Sequence, residues 1–271
     1  MQFAIKETIK KRKSVRTYDG TPLKDADITA LKGFIDNVTD PFGIPVEFGL
    51  LKADEHDLSS PVVRGEDHYL TAKVKKEGNF ELSLGYSFET VCLYAASLGL
   101  GTVIMAASIS RNTFEKAMNL QDDEALPVAS PVGYAAKEMS FRETLMRKGT
   151  KADHRIPFEK LFFDGSFDTS LTMGKAGGFA QALEMLRWAP SAVNKQPWRA
   201  VVMGDMVHFY EKKSIKDNSN GDIQKVDMGI ALAHFDLTMQ EENKSGSFIF
   251  EDPGITVPAN VHYIVSYRKE K

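Results

Sequence analysis

Two long stretches of the chain are apolar on most sides, Ser83 to Leu98 and Val226 to Glu241. Such all-round hydrophobicity predicts two central helices packed in a core rather than lying on a surface. Around each, shorter patterned segments recur in the same order. Phe3 to Lys13 and Ile28 to Asn37 carry helical periodicity, the first with Phe3, Ile5 and Ile9 inward, the second with Ile28, Leu31, Phe34 and Ile35 on one face. Asp25 or Asp27 is placed to cap the second. Residues 43–52, 68–74, 102–105 and 126–134 have strand character, and Asn112 to Met118 that of a short helix. Residues 136–155 are charged, and both helix and linker remain open there. In the second half, a helix at Gly178 to Trp188, strands at 200–203 and 207–210, the second apolar helix and a closing strand at 261–267 repeat the order. Tyr18-Asp19-Gly20 and Phe163-Asp164-Gly165 punctuate the two halves alike. The offset of about 140 to 150 residues predicts a tandem duplication of one α+β unit, with half-repeats at about 1–150 and 151–271 forming a single body.

The 271 residues are 42% hydrophobic and 26% charged, an ordinary globular balance, and a formal charge of −3 gives no electrostatic case for nucleic acid or an anionic membrane. No apolar run approaches the roughly 20 residues that span a bilayer, and the N-terminus lacks a signal-peptide core, so a cytoplasmic protein is expected. The one cysteine, Cys92, lies in the apolar run Val91 to Ala96 and reads as a buried, inert thiol. The six histidines are scattered without ligand spacing, and His234 in the second apolar helix reads as a satisfied core or interface group.

Against that near-neutral background, two segments carry chemistry. Lys10 to Lys13 with Arg16 is a basic cluster at the end of the first helix. Arg187 to Arg199 runs from a helix through a turn into a strand, with two prolines, two tryptophans and the polar set Ser191, Asn194 and Gln196. Prolines fix the backbone while Ser, Asn and Gln offer donors and acceptors in a rigid frame, a turn suited to a flat polar ligand. A helix end with two structural prolines accounts for the same residues. Trp188 and Trp198 are read as core and left out of the site.

Arg12-Lys13-Ser14-Val15-Arg16, followed by Tyr18-Asp19, resembles the opening motif of FMN-dependent nitroreductases, and Ala189-Pro190-Ser191-Ala192-Val193-Asn194-Lys195-Gln196-Pro197-Trp198 resembles that family's Ala-Pro-Ser-x-x-Asn-x-Gln-Pro-Trp turn. Ala95 to Thr102 and His154 to Pro157 are similar to two further family segments. In ordinary members both leading motifs lie on one subunit and two subunits pair. Here the first half has Asn37 to Pro45 where the turn belongs, and the second half has Phe158 to Phe162 where the basic motif belongs. The resemblance therefore implies a nitroreductase-like α+β fold with mainly antiparallel sheets, a fused pseudo-dimer, and one working flavin site at the junction of the halves.

For that site the resemblance implies non-covalent FMN. Arg12, Ser14 and Arg155 would take phosphate and ribityl contacts, Lys13 would lie between them, and Arg16 would reach the N1/O2 edge. Pro190, Ser191, Asn194 and Gln196 would lie on the dimethylbenzene and ribityl side. Ala106 and Ala107 stand at the segment over N5, where members usually carry glycine, and Asp153 stands where some carry lysine. NAD(P)H as co-substrate, a nitroaromatic, quinone or similar small-molecule acceptor, and a monomer or weak homo-oligomer complete the expectation. A flavin-binding or storage protein without turnover, or a degenerate non-catalytic one, is the alternative.

Overall fold

The computed structural model describes residues 3–270. Helices α1 (Ile5–Lys11) and α2 (Asp25–Ile35) precede strands β1 (Val46–Lys52) and β2 (His68–Lys75) and the long helix α3 (Phe80–Ser97). Then follow β3 (Gly101–Thr102), α4 (Arg111–Ala117), β4 (Glu124–Ala125), β5 (Ala129–Gly133) and α5 (Phe141–Gly149). The second half holds β6 (Phe162–Asp164), α6 (Ala180–Arg187), β7 (Trp198–Met203), β8 (Met206–Lys212), α7 (Ile223–Glu241), β9 (Gly246–Ile249) and β10 (Val261–Lys269). Each half builds one sheet. The first runs β1-β2-β5-β3 with β4 also on β2, all antiparallel, and the second runs β6-β7-β8-β10-β9 with only β6–β7 parallel. Proline cannot donate to a ladder, and Pro127 separates β4 from β5 along the same edge of β2.

One core runs from β2 through α3 and α7 to β7, β8 and β10, so the two central helices are packed between the two sheets. Their crossing is set by glycine. A Cβ on Gly85 would lie 2.1 Å from the Val226 carbonyl oxygen, and one on Gly229 would lie 2.3 Å from that of Leu82. The same 144-residue spacing relates Gly85 to Gly229 and Leu82 to Val226, so each helix presents the same notch to the other. The contact between the two central helices is thus reciprocal, at positions one repeat offset apart. Cys92 is fully buried, and burial pushes its thiol above the usual range, as an inert core thiol requires. No helix among the described residues is long and apolar enough to cross a membrane.

The two expected acidic caps of α2 are corrected. Lys24 is the N-cap, and Asp25 and Asp27 lie in the first turn without a side-chain capping bond, where their charge still suits the helix dipole. The open segment 136–155 contains a helix, α5, capped by Ser140 Oγ accepting from the Glu143 N–H at 3.2 Å. Strands β6 and β9 and the short β4 were not foreseen.

Candidate functional site at the junction of the halves

α1 belongs to the first half in sequence but docks on the second. Its first N–H groups, those of Ile5 and Lys6, donate to Glu241 at 2.6 and 3.3 Å, at the far end of α7. A carboxylate at a helix N-terminus satisfies donors that the helix itself leaves open. α1 then ends at Arg12, and Ser14 to Tyr18 continues in extended form beside β3. Val15 N–H donates to the Thr102 carbonyl at 2.9 Å, and Gly101 leaves room for Val15 against the strand. Arg64 brackets the other side, its N–H donating to Arg16 O and its carbonyl accepting from Tyr18 N–H.

The arginines gather here. Arg12 Nε lies 3.5 Å from Glu89 Oε1 with 6% of its side chain exposed. Arg155 donates to the carbonyls of Ala152, His154 and Trp188 and sits 5.9 Å over the Trp188 ring. Arg147, on the inner face of α5, reaches the Ser14 carbonyl at 3.4 Å and pairs with Asp153. Arg187 pairs with Glu184 at 2.6 Å and donates to the Ile156 carbonyl. Burial, and then the neighbouring Arg12, push the Arg155 guanidinium down to about 10, with Arg187 and Arg147 adding to the effect. Burial likewise lowers Arg16, which Glu143 opposes and Arg147 reinforces. The Nε atoms of Arg12, Arg16 and Arg155 are all buried and lack a hydrogen-bond partner among the described residues. Buried donors of this kind are normally satisfied, and these three, with Arg12 Nε only 3.5 Å from Glu89, suit an anionic acceptor.

The turn of the second half closes on the same place. Asn194 Nδ2 donates to the carbonyls of Lys151 and His154 at 2.7 and 3.1 Å. Gln196, 2% exposed, accepts the Ile156 N–H at 2.9 Å and donates to the His154 carbonyl at 3.3 Å. Ser191 Oγ accepts the Gln196 N–H at 2.9 Å. The polar set therefore braces the 151–156 segment that carries Arg155. Val193, Asn194 and Gln196 hold φ of +43°, +56° and +49°, the left-handed region that a β-branched residue such as Val193 enters at a cost. From below, both carboxylate oxygens of buried Asp227 accept the Ala192 N–H at 3.0 Å. Desolvation raises the Asp227 carboxyl well above its usual range, and this one bond only partly offsets it.

Of the residues expected from sequence, Arg12, Ser14, Arg16, Arg155, Asn194 and Gln196 thus share one neighbourhood, with Pro190 and Ser191 half-buried in the same turn. Lys13 is exposed. Ala106 and Ala107 follow β3 beyond its bridge to Ser14, and Arg111 holds the Ala106 carbonyl at 2.6 Å. Trp198 is fully buried, as read, whereas Trp188 is half-buried against Arg155. Sequence reasoning missed Arg147, Glu89 and Asp227. The signal for Arg147 was present in Ser140-Phe141-Arg142-Glu143, a capping-box spacing that puts Glu143 and Arg147 on one face of a helix.

The pseudo-equivalent place in the first half is built differently. Ser83, 144 positions before Asp227, donates to Asp40 Oδ1 at 2.9 Å, so the helix-to-turn bond persists with donor and acceptor exchanged. Asp40 also accepts from the N–H groups of Phe42 and Gly43. Phe42 packs against Tyr86, Phe248 and Phe250 at ring separations of 6.2, 5.3 and 6.3 Å. Aromatic rings pack at this turn, where the other carries Ser191, Asn194 and Gln196.

Residues 4–239 match a protein-family model described as "Putative TM nitroreductase". The chain belongs to this family. Its fold agrees with that of a putative nitroreductase from Thermotoga maritima, 20% identical, with a TM-score of 0.64 over 99% of this chain and 94% of that one. A nitroreductase family protein from Clostridium novyi matches 50% of this chain and 87% of its own, at 16% identity and a TM-score of 0.42. An FMN-dependent nitroreductase from Clostridium difficile matches 52% and 94%, at 14% identity and a TM-score of 0.40. No curated protein matches the sequence. Within the nitroreductase family, this chain is built as two tandem half-repeats with α3 and α7 at the centre.

Proposed function

We propose that the protein is an FMN-dependent oxidoreductase with one flavin site per chain, at the junction of Arg12 to Arg16 with Pro190 to Gln196. The observation that carries it is the gathering of Arg12, Arg16 and Arg155, whose buried Nε atoms have no hydrogen-bond partner among the described residues, Arg12 Nε facing only the Glu89 carboxyl at 3.5 Å. A phosphate dianion accepts charge-assisted bonds from such guanidinium groups and offsets the burial, and then the repulsion from Arg12, that lower Arg155. Bound flavin would supply two-electron transfer chemistry between NAD(P)H and a nitroaromatic, quinone or similar acceptor. The chain's own residues bind and orient. Arg12 and Arg155 hold the phosphate end, with Ser14 and Lys13 beside them. Arg16 would bring a partly buried positive charge to bear on the flavin, where negative charge grows on reduction, and so favour the reduced form. Pro190 and the braced Ser191–Asn194–Gln196 turn form the wall from the second half. Ala106 and Ala107 would offer backbone groups to the bound flavin, the Ala106 carbonyl being held by Arg111. No side chain is assigned a proton-transfer role.

The purified protein should be yellow, or become so with added FMN, at one FMN per chain, and NADH or NADPH should bleach it in stopped flow. A colourless protein that cannot be reconstituted would refute the reading, and two FMN per chain would refute the single junctional site. Flavin that binds but is not bleached by either nicotinamide would favour the storage alternative. Both contributing segments lie on one chain, so a monomer in solution is part of the proposal.

A further inference from the structure

Behind Arg12 lies a buried polar chain that joins the two halves. Glu89 on α3 and His234 on α7 are both fully buried in the apolar seam between the central helices. His234 Nδ1 lies 3.0 Å from the Met185 carbonyl, which can only accept, so Nδ1 carries a hydrogen. His234 Nε2 lies 2.7 Å from Glu89 Oε1, and that same oxygen lies 3.5 Å from Arg12 Nε. Met185 is in the last turn of α6, from which the chain passes directly into the Trp188–Trp198 turn. The path thus runs from the helix that launches the turn, through His234 and Glu89, to the first arginine of the basic motif.

We propose that Glu89 and His234 are positioning residues that fix the Arg12 guanidinium for a phosphate monoester and tie its placement to the turn supplied by the other half. The inference rests on the flavin reading above for its natural ligand. Polar groups this deep are costly unless mutually satisfied, and an apolar pair would fill the seam at no such cost. Their place beside the Arg12 guanidinium, with Glu89 Oε1 shared between His234 and Arg12, is what an orienting role requires. Glu89→Gln keeps the size of the side chain and replaces the carboxyl group whose Oε1 lies 2.7 Å from His234 Nε2 and 3.5 Å from Arg12 Nε, and with it the hold on the guanidinium.

The test compares FMN with riboflavin, which lacks only the phosphate, by fluorescence titration of the wild type, Glu89→Gln, Arg12→Lys and the double variant. Glu89→Gln should weaken FMN by about tenfold and leave riboflavin within about twofold, a split that general structural damage would not produce. The double variant should lose no more FMN affinity than Arg12→Lys alone. An equal loss for both flavins, no loss for either, or additive losses would overturn the proposal. If the wild type binds no flavin, the proposed function falls. The arginine pocket is then read through orthophosphate: a rise in melting temperature in the wild type that shrinks in Glu89→Gln sustains the positioning role. An equal rise in both proteins, or none in either, overturns it.

Discussion

Gly85→Ala tests the crossing on which the whole architecture rests. The added methyl carbon would lie 2.1 Å from the Val226 carbonyl oxygen and 3.0 Å from the Ile230 nitrogen. Ordinary contact begins near 3.4 Å, so α3 and α7 must part by more than 1 Å, or bend, to admit it. Both obstacles are backbone atoms of a buried helix and cannot swing aside. Overpacking of this kind costs about 3 kcal/mol, at the upper end of its usual range. Alanine returns about 1 kcal/mol of helix propensity, leaving a net loss of about 2 kcal/mol. Gly33→Ala is the control. Gly33 is exposed in α2, and a Cβ there meets nothing within 4 Å, so only the propensity gain of about 0.5 to 1 kcal/mol remains. Urea titrations of both variants beside the wild type should move in opposite directions. Movement of both in the stabilising direction would refute the close crossing.

Three further outcomes follow from other residues. Val193→Gly should stabilise the protein by about 1 kcal/mol in thermal melts, because the left-handed φ of +43° is strained for valine and open to glycine. Arg12→Ala should weaken FMN binding by about 1.5 to 3 kcal/mol in a fluorescence titration, and an unchanged affinity would remove Arg12 from the site. Burial, and then Asp222, raise the Glu211 carboxyl to about 7, so the folded protein keeps a proton that the unfolded chain releases from about pH 4.5 upward. Stability contributed by that retained proton is therefore present at low pH and declines between about pH 4.5 and 7, by at most about 1.4 kcal/mol per pH unit. Glu211→Gln should flatten that decline in urea melts at pH 5 and 7.5, and parallel pH profiles for the two proteins would contradict it.

What could be read from sequence followed the strength of the local signal. The apolar runs around Phe88 and Phe235 placed α3 and α7, because a helix buried on nearly every side leaves a continuous hydrophobic stretch. The duplication was legible from element order, though its most telling residues, Gly85 and Gly229, look like unremarkable helix glycines until a partner backbone is set against them. The basic motif and the turn stood out because dense, unusual residue combinations are visible out of context, and the fold brings Arg12, Arg155 and Asn194 into one neighbourhood. Glu89 was illegible for the opposite reason: one acid in an apolar helix has meaning only with His234 and Arg12 beside it. Strand β9 escaped because its four residues, Gly246 to Ile249, are too few to show a period. The caps of α2 were misplaced because Asp25 and Asp27 suit the first turn of a helix as well as its cap.

The crossing of α3 and α7 has a consequence for how such a protein can vary. In a homodimer every substitution appears twice, on both sides of the axis, and the contact dissolves on dilution. Here the two notches lie on one chain, so their effective concentration is fixed by covalent connection. This contact should not weaken on dilution. A change on one side need not be tolerated on the other, and Phe42 can sit among aromatic rings while its counterpart turn keeps Pro190, Ser191 and Asn194. The shared backbone contact is the part that must remain alike in both halves. Everything outward from it is free to specialise.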